Sequence, residues 1–562
     1  TQGVSSAASD VYKRQVITSP ATSAAPEAPA EGSLRRASIV MAAGTMVSRI
    51  LGFVRTYLLT VIAAGTSLTL DAFQAANTLP NVVFILLSAG VLNAILIPQI
   101  TRAMKQPDGG QEFVDRLLTV SFASVLVVTT VATLASPWLL DLYFSSSGAT
   151  RHLTIFFGFI CMPQIFFYGL YAILGQVLNA RNQFAAFMWS PVLANVIQIA
   201  GLVWFLVQFG AHPDPATWTP EMVWVLAGTT TLGIIIQGLF LIIPLHRGGF
   251  RWRPRWGIRG YGLGAAARIT VWTFTALVIA QFAGIIMKKM LSHVRLVHPE
   301  VSSSISAYDN AFLIFMLPQS FITTSILTAL FPRMSRANAD GSNSAMKKLL
   351  RQGLEMPALA IIPCSLAMVV LARPGVQTVF SLEPGQVGSL ARAVAVMGVG
   401  LLPFGIATLQ QRYCFAREDG KLNLIMQAVT TGVQLIILVT MFVFPPQHAL
   451  VVVAAAQTIA NLVGAVAWLV VASRQLGGIG MGEVNRLWTK LAVASIVAAV
   501  PTYLVAHGID AAGHGAWVGH AGGTLIGGVL FVALFLVLAK ILRIVEVLDL
   551  LNPMLRKVMR RS

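Results

Sequence analysis

The sequence contains few charged residues and few cysteines. Charged side chains make up 11% of its 562 residues, against about 25% in an ordinary soluble domain. Together with 56% hydrophobic residues and a mean hydropathy of +0.75, this shortage excludes a soluble globular enzyme, a disordered protein and a fibrous one. Cys161, Cys364 and Cys414 form neither a CxxC pair nor a metal-ligand spacing. Disulfides and a zinc site are therefore not expected.

Acidic residues are scarce as well. The 21 Asp and Glu residues face 39 Lys and Arg, which gives a formal net charge of +18. No soluble basic domain accompanies this excess, so nucleic acid is not an expected partner, and basic cytoplasmic loops account for the charge. A GxxxxGK[ST] loop for ATP phosphates is missing too. We expect neither an enzyme nor a metal or other cofactor, and we expect any energy input to come from Na⁺, H⁺ or the membrane potential.

Long apolar segments predict an all-α polytopic membrane protein. Each segment can cross the roughly 30 Å hydrocarbon core at about 1.5 Å per residue. A helix is the only open structure that satisfies its backbone polar groups within one segment. We predict fourteen transmembrane helices, at residues 37–63, 70–103, 116–143, 152–179, 184–209, 222–246, 262–290, 303–334, 345–372, 387–415, 421–444, 447–473, 486–507 and 518–542.

The two ends of the chain differ from the segments between them. Residues 1–36 are rich in Ala, Ser and Pro and are predicted to be a disordered cytoplasmic tail, whose first fifteen residues resemble a non-native leader. Residues 543–562 are predicted to be a basic cytoplasmic tail. Because basic loops alternate with loops that carry few Lys and Arg, the positive-inside rule places both termini in the cytoplasm. We therefore expect a multi-pass protein of a membrane that borders the cytoplasm.

Two short sequence patterns recur in chain order. The segment Pro98–Ala103 (PQITRA) returns as Pro332–Ala337 (PRMSRA), 234 positions later. A second set recurs after 236 positions: Gly169, Ala180-Arg181 and Gln198 correspond to Gly405, Ala416-Arg417 and Gln434. The recurrence predicts two six-helix lobes around a central cavity, residues 37–246 and 262–473, followed by two extra helices at 486–542. Convergence of two short loop motifs is the alternative explanation.

The first apolar segment contains two arginines in the stretch SRILGFVR. Arg49 and Arg55 would cost about 2.5–3.5 kcal/mol each at the centre of a helix that faced lipid. They are therefore expected to face water, a counter-charge or an anionic ligand. Guanidinium suits phosphate because it donates in a fixed fork and keeps its charge. Ser48 and Gly52 belong to the same candidate site, and Gly52 permits a bend or a close approach. Snorkelling arginines at the membrane interface are the alternative.

The second segment contributes an acid and an internal proline. Asp71 is either a helix N-cap, which requires no function, or a counter-charge or gate residue. Pro80 removes a helical hydrogen bond and predicts a bend that lines a cavity. The neighbouring Asn81 is assigned to the same gate or counter-charge group.

These motifs together resemble the MurJ/MviN family. SRILGFVR, a short loop, DAF, LPN, AG and an IPQ-like span end occur in this order, and LP…TALFPRMSR lies in the eighth segment. The family belongs to the multidrug/oligosaccharidyl-lipid/polysaccharide exporter superfamily and flips lipid II. The resemblance covers the chain after residue 37. It implies alternating access, lipid II or a related undecaprenyl-pyrophosphate glycolipid as cargo, and membrane lipids and peptidoglycan synthesis enzymes as partners.

The resemblance places Arg49 and Arg55 on the two first-span arginines of the family, which we predict to hold the pyrophosphate of the cargo, and Asp71 on its second-span acid. It also shows departures from the family pattern. Thr56 replaces an acid that many members have, an arginine is missing after LPN, and an Asp-Arg pair is replaced by Phe312 and Leu313. Four further residues are candidates for the missing charges in the cavity: Lys288, Lys289, Asp309 and Asn310. For the two lysines, an amphipathic turn at the outer surface is the alternative. The Arg-over-Lys bias suggests an actinobacterial source.

Three other functions fit the composition. An exporter of another polyprenyl-pyrophosphate glycan and a drug antiporter of the same superfamily share the fold, although an antiporter for cations should carry acids in its cavity. A non-transporting scaffold for cell-wall synthesis would tolerate the reduced set of arginines. Trapping of lipid II in the inner leaflet after depletion of the protein would distinguish the flippase from these functions.

Overall fold

The computed structural model describes residues 31–88, 111–181, 183–257, 264–299, 301–380, 382, 384–513 and 517–547. Helices and turns make up these ranges, which contain no strand. The first copy of the PQITRA motif, most of the N-terminal tail and the end of the C-terminal tail lie outside the described residues. The first helix begins at Glu31, so the tail predicted to extend to residue 36 is wrong over its last residues.

The helices correspond to the fourteen predicted transmembrane segments, which are called spans 1 to 14. Thirteen are long and apolar enough to cross a membrane, and a bent pair supplies the fourteenth. In chain order the principal helices are Glu31–Ile62 (span 1), Leu68–Leu87 (span 2), Gln111–Leu134 (span 3), Gly148–Cys161 and Gln164–Ala180 (span 4), Phe184–Gln208 (span 5), Pro220–Val223, Thr229–Phe240 and Ile242–Arg247 (span 6), Gly264–Val297 (span 7), Ile305–Pro318 and Thr324–Ala339 (span 8), Asn343–Val370 (span 9), Pro384–Val399 and Leu401–Ala416 (span 10), Gly420–Val439 (span 11), Ala449–Leu476 (span 12), Met481–Ala512 (span 13) and Trp517–Ile541 (span 14).

Several spans are interrupted, and the interruptions have local causes. In span 8 the helix changes to a π-turn at Gln319–Thr323, directly after Pro318, because proline cannot donate to the preceding turn. Span 10 bends by 51° at Gly400, where an added Cβ would lie 2.7 Å from the Thr458 hydroxyl. Span 2 continues as a helix through Pro80 to Leu87.

The packing of spans 1–6 recurs in spans 7–12, and we call these two groups lobe 1 and lobe 2. Span 1 packs on span 5 as span 7 packs on span 11, and span 2 packs on span 4 as span 8 packs on span 10. Two short helices outside the spans repeat as well. Ser136–Tyr143 follows span 3, and Ala372–Val379 follows span 9 at positions shifted by 236. Arg181 and Arg417 both occupy helix C-caps. The boundaries of the two units stay a prediction.

Spans 13 and 14 pack against each other and attach to lobe 2 through span 9. Each lobe has its own buried apolar core, in which aromatic rings meet edge to face, as Phe73 and Phe157 do in lobe 1. Large apolar side chains remain exposed on the spans, among them Val127, Trp204 and Leu525. Such exposure is expected where lipid rather than water surrounds the helices.

The two lobes touch at the end of the molecule where residues 63–67 join spans 1 and 2, which we call the outer end. Four hydrogen bonds between the lobes lie at this end. Their donor–acceptor pairs are Thr66 N to Gln386 Oε1, Ser145 N to Ser292 Oγ, Lys289 Nζ to the Asp141 carbonyl, and Ser306 N to Asp71 Oδ1.

Candidate functional site

Arg55 points into lobe 1 and has a neutral partner. Its Nη1 donates to Gln198 Oε1 on span 5 at 2.8 Å, and the hydroxyl group of Tyr168 lies close enough to interact electrostatically. The Arg55 Nε is buried without a hydrogen-bond partner in the described part of the protein. A guanidinium with an unused donor and no neighbouring carboxylate retains its capacity to bind an anion.

Arg49 faces lobe 2 instead. Its guanidinium lies over the Phe321 ring of span 8, 5.5 Å from the ring centroid. Arg49 and Arg55 are six residues apart, which separates them by about 9 Å along the helix and about 120° around it. The structure therefore places the two predicted pyrophosphate ligands on different faces of span 1 and does not bring them together.

Ser48 and Gly52 occupy different environments, although both belong to the predicted site. Asn195 Nδ2 donates to the Ser48 carbonyl at 3.0 Å and to its hydroxyl at 3.2 Å. Ser48 therefore joins span 1 to span 5. No atom lies within 4 Å of a Cβ added at Gly52, so this residue leaves open space on the face of span 1. Asn81 is exposed on span 2.

Asp71 is not the N-cap of span 2, which corrects one of the two sequence interpretations. The cap is Ser67, whose hydroxyl accepts from the Leu70 N–H at 3.4 Å. Asp71 is 1% exposed, and its Oδ1 accepts from the Ser306 N–H of span 8 at 2.8 Å. A carboxylate at a helix N-terminus is stabilised by the free N–H groups and by the helix dipole. Asp71 thus supplies a further acceptor to the first turn of a helix in the opposite lobe, whose own N-cap is Ser304.

Lys288 and Lys289 lie on the continuous helix of span 7, so the predicted amphipathic surface turn is wrong. Lys288 Nζ pairs with Asp309 Oδ2 at 2.9 Å and lies over the Tyr143 ring. Lys289 donates to the Asp141 carbonyl of lobe 1. Both ammonium groups are therefore engaged at the outer end. Asn310 is fully buried, and its side-chain amide atoms have no partner within the described residues.

An ion pair between the short helix Ser136–Tyr143 and the start of span 4 supports the same contact. Arg151 donates from Nε and Nη2 to the two carboxylate oxygens of Asp141, at 2.9 and 2.7 Å. These hydrogen bonds from Arg151 hold the pKa of Asp141 below its ordinary value. The carboxylate therefore stays ionised on the short helix whose backbone carbonyl accepts from Lys289.

Two functional neighbours were not predicted from the sequence. Gln198 was noticed only as a member of the repeat, yet it holds Arg55. Ser306 lies 235 residues from Asp71, its partner. The signal for Gln198 was available, because a polar side chain recurring in an apolar span usually has a buried partner. No local pattern indicates the pairing of Ser306 with Asp71.

Comparison with known proteins identifies a family. The family model described as "Lipid II flippase MurJ" matches residues 61–516, a range that includes Asp71 and begins after Arg55. A probable lipid II flippase MurJ of Rhizobium meliloti (strain 1021) is 24% identical over 447 residues, which cover 77% of this chain and 79% of that protein. The corresponding protein of Vibrio cholerae is 24% identical over 404 residues, 69% of this chain and 74% of its own length.

Solved structures agree on the fold. A structure described as lipid II flippase MurJ in an inward closed conformation matches with a TM-score of 0.68 and 18% identity, and the match covers 90% of this chain and 98% of the other. An inward-facing multidrug resistance transporter of the MATE family matches with a TM-score of 0.61 and 17% identity, over 79% of this chain and 98% of the other.

Proposed function

Since this chain belongs to the MurJ family of lipid II flippases, we propose that Arg55 binds the pyrophosphate of lipid II while the outer end is closed, and that Arg49, on a different face of span 1, contacts it during entry. The protein is an α-helical inner-membrane transporter that moves its lipid between the leaflets by alternating access. The observation that carries the assignment to Arg55 is its lack of a carboxylate partner in the described residues, together with its buried, unused Nε.

The contacts between the lobes support the direction of access. Four hydrogen bonds that join them lie at the outer end. A pyrophosphate would therefore reach span 1 from the opposite end. Arg49 lies nearer that end than Arg55 and contacts span 8 through Phe321. It would meet the anion first and pass it toward Arg55.

The orientation of the chain is part of the proposal. We place both termini, and the basic loop after span 6, in the cytoplasm because loops rich in Lys and Arg are retained there. Single cysteines at Asp214 and Arg253, in a variant without native cysteines, report on this. In intact cells an impermeant thiol reagent should label the first position and leave the second unlabelled, and the reverse pattern would overturn the orientation.

Coupling and partners also belong to the proposal. Export against a gradient needs an energy source, and we propose Na⁺, H⁺ or the membrane potential for it. Peptidoglycan synthesis enzymes are proposed to receive the lipid on the outer side. Neither catalysis nor a cofactor is proposed for the chain itself.

The test is complementation in cells depleted of their own flippase. Wild-type chain should restore exposure of lipid II on the outer leaflet, measured by its accessibility to an external lipid II-degrading enzyme. Arg55→Ala should reach the membrane at normal amounts and fail to restore exposure. Arg474→Ala, which removes an exposed arginine of span 12, is the matched control and should behave as wild type. If Arg55→Ala restores full exposure, Arg55 is not the pyrophosphate ligand.

A further inference from the structure

Lobe 1 carries an apolar groove that the transport site does not use. Its volume is about 730 Å³, and it lies between spans 3 and 6 with span 4 at its base. Representative lining residues are Phe122 and Leu126 of span 3, Leu170 of span 4, and Leu239 and Ile242 of span 6. Spans 1 and 5, which hold Arg55, contribute no lining residue. The groove is therefore separate from the proposed pyrophosphate site.

Three of the lining side chains show that the groove opens toward lipid. Leu126, Leu239 and Ile242 are 54%, 44% and 45% exposed, and each lies within a membrane span. In a bilayer such an opening is filled by hydrocarbon, because water would find few polar partners there. An extended acyl chain has the right chemistry for it.

One end of the groove is closed by residues 250–257, which follow span 6 and which we call the strap. Its sequence, FRWRPRWG, alternates aromatic residues with arginines. Trp252 packs edge to face on Phe122, with ring centroids 5.3 Å apart, and its Nε1 donates to Thr119 Oγ1 at 3.3 Å. The Arg255 N–H donates to the same hydroxyl at 3.0 Å. The strap is thus fixed to the start of span 3.

The strap brings positive charge to the mouth of the groove. Arg251 lines the groove beside His246, and Arg253 is exposed. Arg255 pairs with Glu112 at 3.3 Å, but Arg116 shares that carboxylate at 2.6 Å. Asp115 adds a second carboxylate, whose Oδ1 accepts from the Arg253 N–H at 3.2 Å. Four guanidinium groups, those of Arg116, Arg251, Arg253 and Arg255, therefore face two carboxylates around the strap. Tryptophan and arginine together are typical of the interface between membrane and cytoplasm.

We propose that this groove is a binding site for an anionic phospholipid of the cytoplasmic leaflet. One acyl chain lies in the groove between spans 3 and 6, and the phosphate lies against the arginines of the strap. Basic pockets between transmembrane helices on the cytoplasmic side have this chemistry. A bound lipid would fix spans 3 and 6 to the strap and thus stiffen lobe 1 as a rigid body.

The probes are phosphatidylglycerol and phosphatidylcholine that carry the same photoreactive acyl chain. Full-length protein in nanodiscs of phosphatidylcholine receives a small fraction of either probe, and cross-linked peptides are mapped by mass spectrometry. Phosphatidylglycerol should label the groove segments of spans 3 and 6 several-fold more than phosphatidylcholine does. High salt should reduce this excess in wild-type protein, because the attraction of basic residues to anionic lipid is screened.

Two pairs of variants separate the acyl chain from the headgroup. Ala123→Trp fills the groove and should abolish its labelling, whereas Val131→Trp, a lipid-facing control on the same span, should not. Arg251→Gln with Arg253→Gln should lower the preference for phosphatidylglycerol by roughly fivefold per arginine. Lys348→Gln, at an exposed lysine near the start of span 9 in lobe 2, should leave it unchanged.

Two outcomes would overturn the proposal. Equal labelling by the two probes in wild-type protein would mean that bulk lipid fills the groove. Displacement of phosphatidylglycerol by an undecaprenyl pyrophosphate would assign the groove to the tail of the transported lipid. The salt dependence is measured without any variant, so it decides the question even if a variant fails to fold.

Discussion

The two lobes place the same glutamine against different residues. In lobe 1, Gln198 of span 5 accepts a hydrogen bond from Arg55 of span 1. In lobe 2, Gln434 of span 11 contacts the thioether of Met287 on span 7 and donates to Gln457. The scaffold is repeated, but only lobe 1 carries a cation at this position. One such site suits a cargo with one pyrophosphate, and in lobe 2 the side chain of span 7 that contacts the glutamine is apolar.

Lobe 2 has a cation next to this position, and its partner shows why it is not equivalent. Lys288 is neutralised by Asp309 at 2.9 Å, whereas Arg55 has an amide partner. A paired ammonium contributes to packing between helices, and binding an anion there would require the carboxylate to leave. The identity of the partner, more than the presence of a basic residue, distinguishes a ligand site from a structural one.

The largest effect is expected from making lobe 1 resemble lobe 2. Arg55→Met should abolish flipping and weaken lipid II binding about ten- to a hundredfold, since hydrogen bonds to charged groups contribute about 1.5–3 kcal/mol. Arg55→Lys should keep partial transport, because it retains the charge and loses the fork. Binding to purified protein and flipping in depleted cells are the measurements. Met287→Leu, the control in lobe 2, should change neither lipid II binding nor flipping. If it lowers both as much as Arg55→Met does, the anion site is not confined to lobe 1.

The next effect tests whether Lys288 is structural. Lys288→Met leaves Asp309 without its partner and should destabilise the protein by somewhat less than the roughly 3–5 kcal/mol of a fully buried pair, because 27% of the Asp309 side chain is exposed. Lys288→Met combined with Asp309→Leu should recover most of this loss. The thermal midpoint of the purified protein reports both. If the double variant is as unstable as the single one, loss of the Lys288–Asp309 ion pair is not the cause of the instability.

A smaller effect is expected at Asp71. Asp71→Asn keeps an acceptor for the Ser306 N–H but loses the attraction to the helix dipole, about 0.3–1 kcal/mol, so the outer end should open more often. Asp71→Ser should do no better, because Ser67 is already the cap of span 2. The opening is measured with a cysteine placed at buried Asn310 in a background without native cysteines. This cysteine should react several-fold faster with an impermeant thiol reagent in the Asp71 variants than in the protein that keeps Asp71. A cysteine at exposed Asp214 should react equally in all backgrounds, and an unchanged rate at position 310 would contradict a gate.

The smallest effect compares the two short helices. Arg151→Gln should lower stability only slightly, as for exposed ion pairs. Because the pKa of Asp141 is depressed by Arg151, this stability is present above the unfolded value of about 3.9 and disappears as pH falls through the lower folded value. Thermal midpoints of wild type and variant should differ at pH 7 and converge as pH falls below the folded value. For Arg373→Gln, on the matching helix of lobe 2, the difference in thermal midpoint from wild type should not shrink at low pH. If the difference for Arg151→Gln also stays constant with pH, the ion pair with Asp141 is not its cause.

The positions of the spans could be predicted from the sequence because each apolar segment is a local signal. All fourteen predicted segments correspond to helices, including the bent span 10. The repeat was also visible locally, since Ala180-Arg181 and Ala416-Arg417 end equivalent helices. The interruption of span 8 at Gln319–Thr323 was harder to predict from the sequence. Pro318 indicates a disturbance there but does not specify a π-turn.

The candidate site was predicted only in part, because its contacts join distant segments. Arg55 and Asp71 were found from the cost of a charged group in an apolar span. Their partners Gln198 and Ser306 lie 143 and 235 residues away, and nothing local fixes such distances. Lys288 and Asp309 were both candidates, but a sequence does not show that they pair with each other and are thereby removed from the cavity.

The four hydrogen bonds across the outer end also set a scale for how the protein distributes between its conformations. The two neutral bonds contribute about 0.5–1.5 kcal/mol each and the two bonds to Asp71 and from Lys289 about 1.5–3 kcal/mol each, so together they favour the closed arrangement by roughly 4–9 kcal/mol. Moving a two-state equilibrium from 1:99 to 99:1 takes about 5.5 kcal/mol. The closure at the outer end therefore makes the open form a minority without removing it from the ensemble. A cargo that binds the open form better needs a differential affinity of similar size to reverse the populations, and its departure restores them.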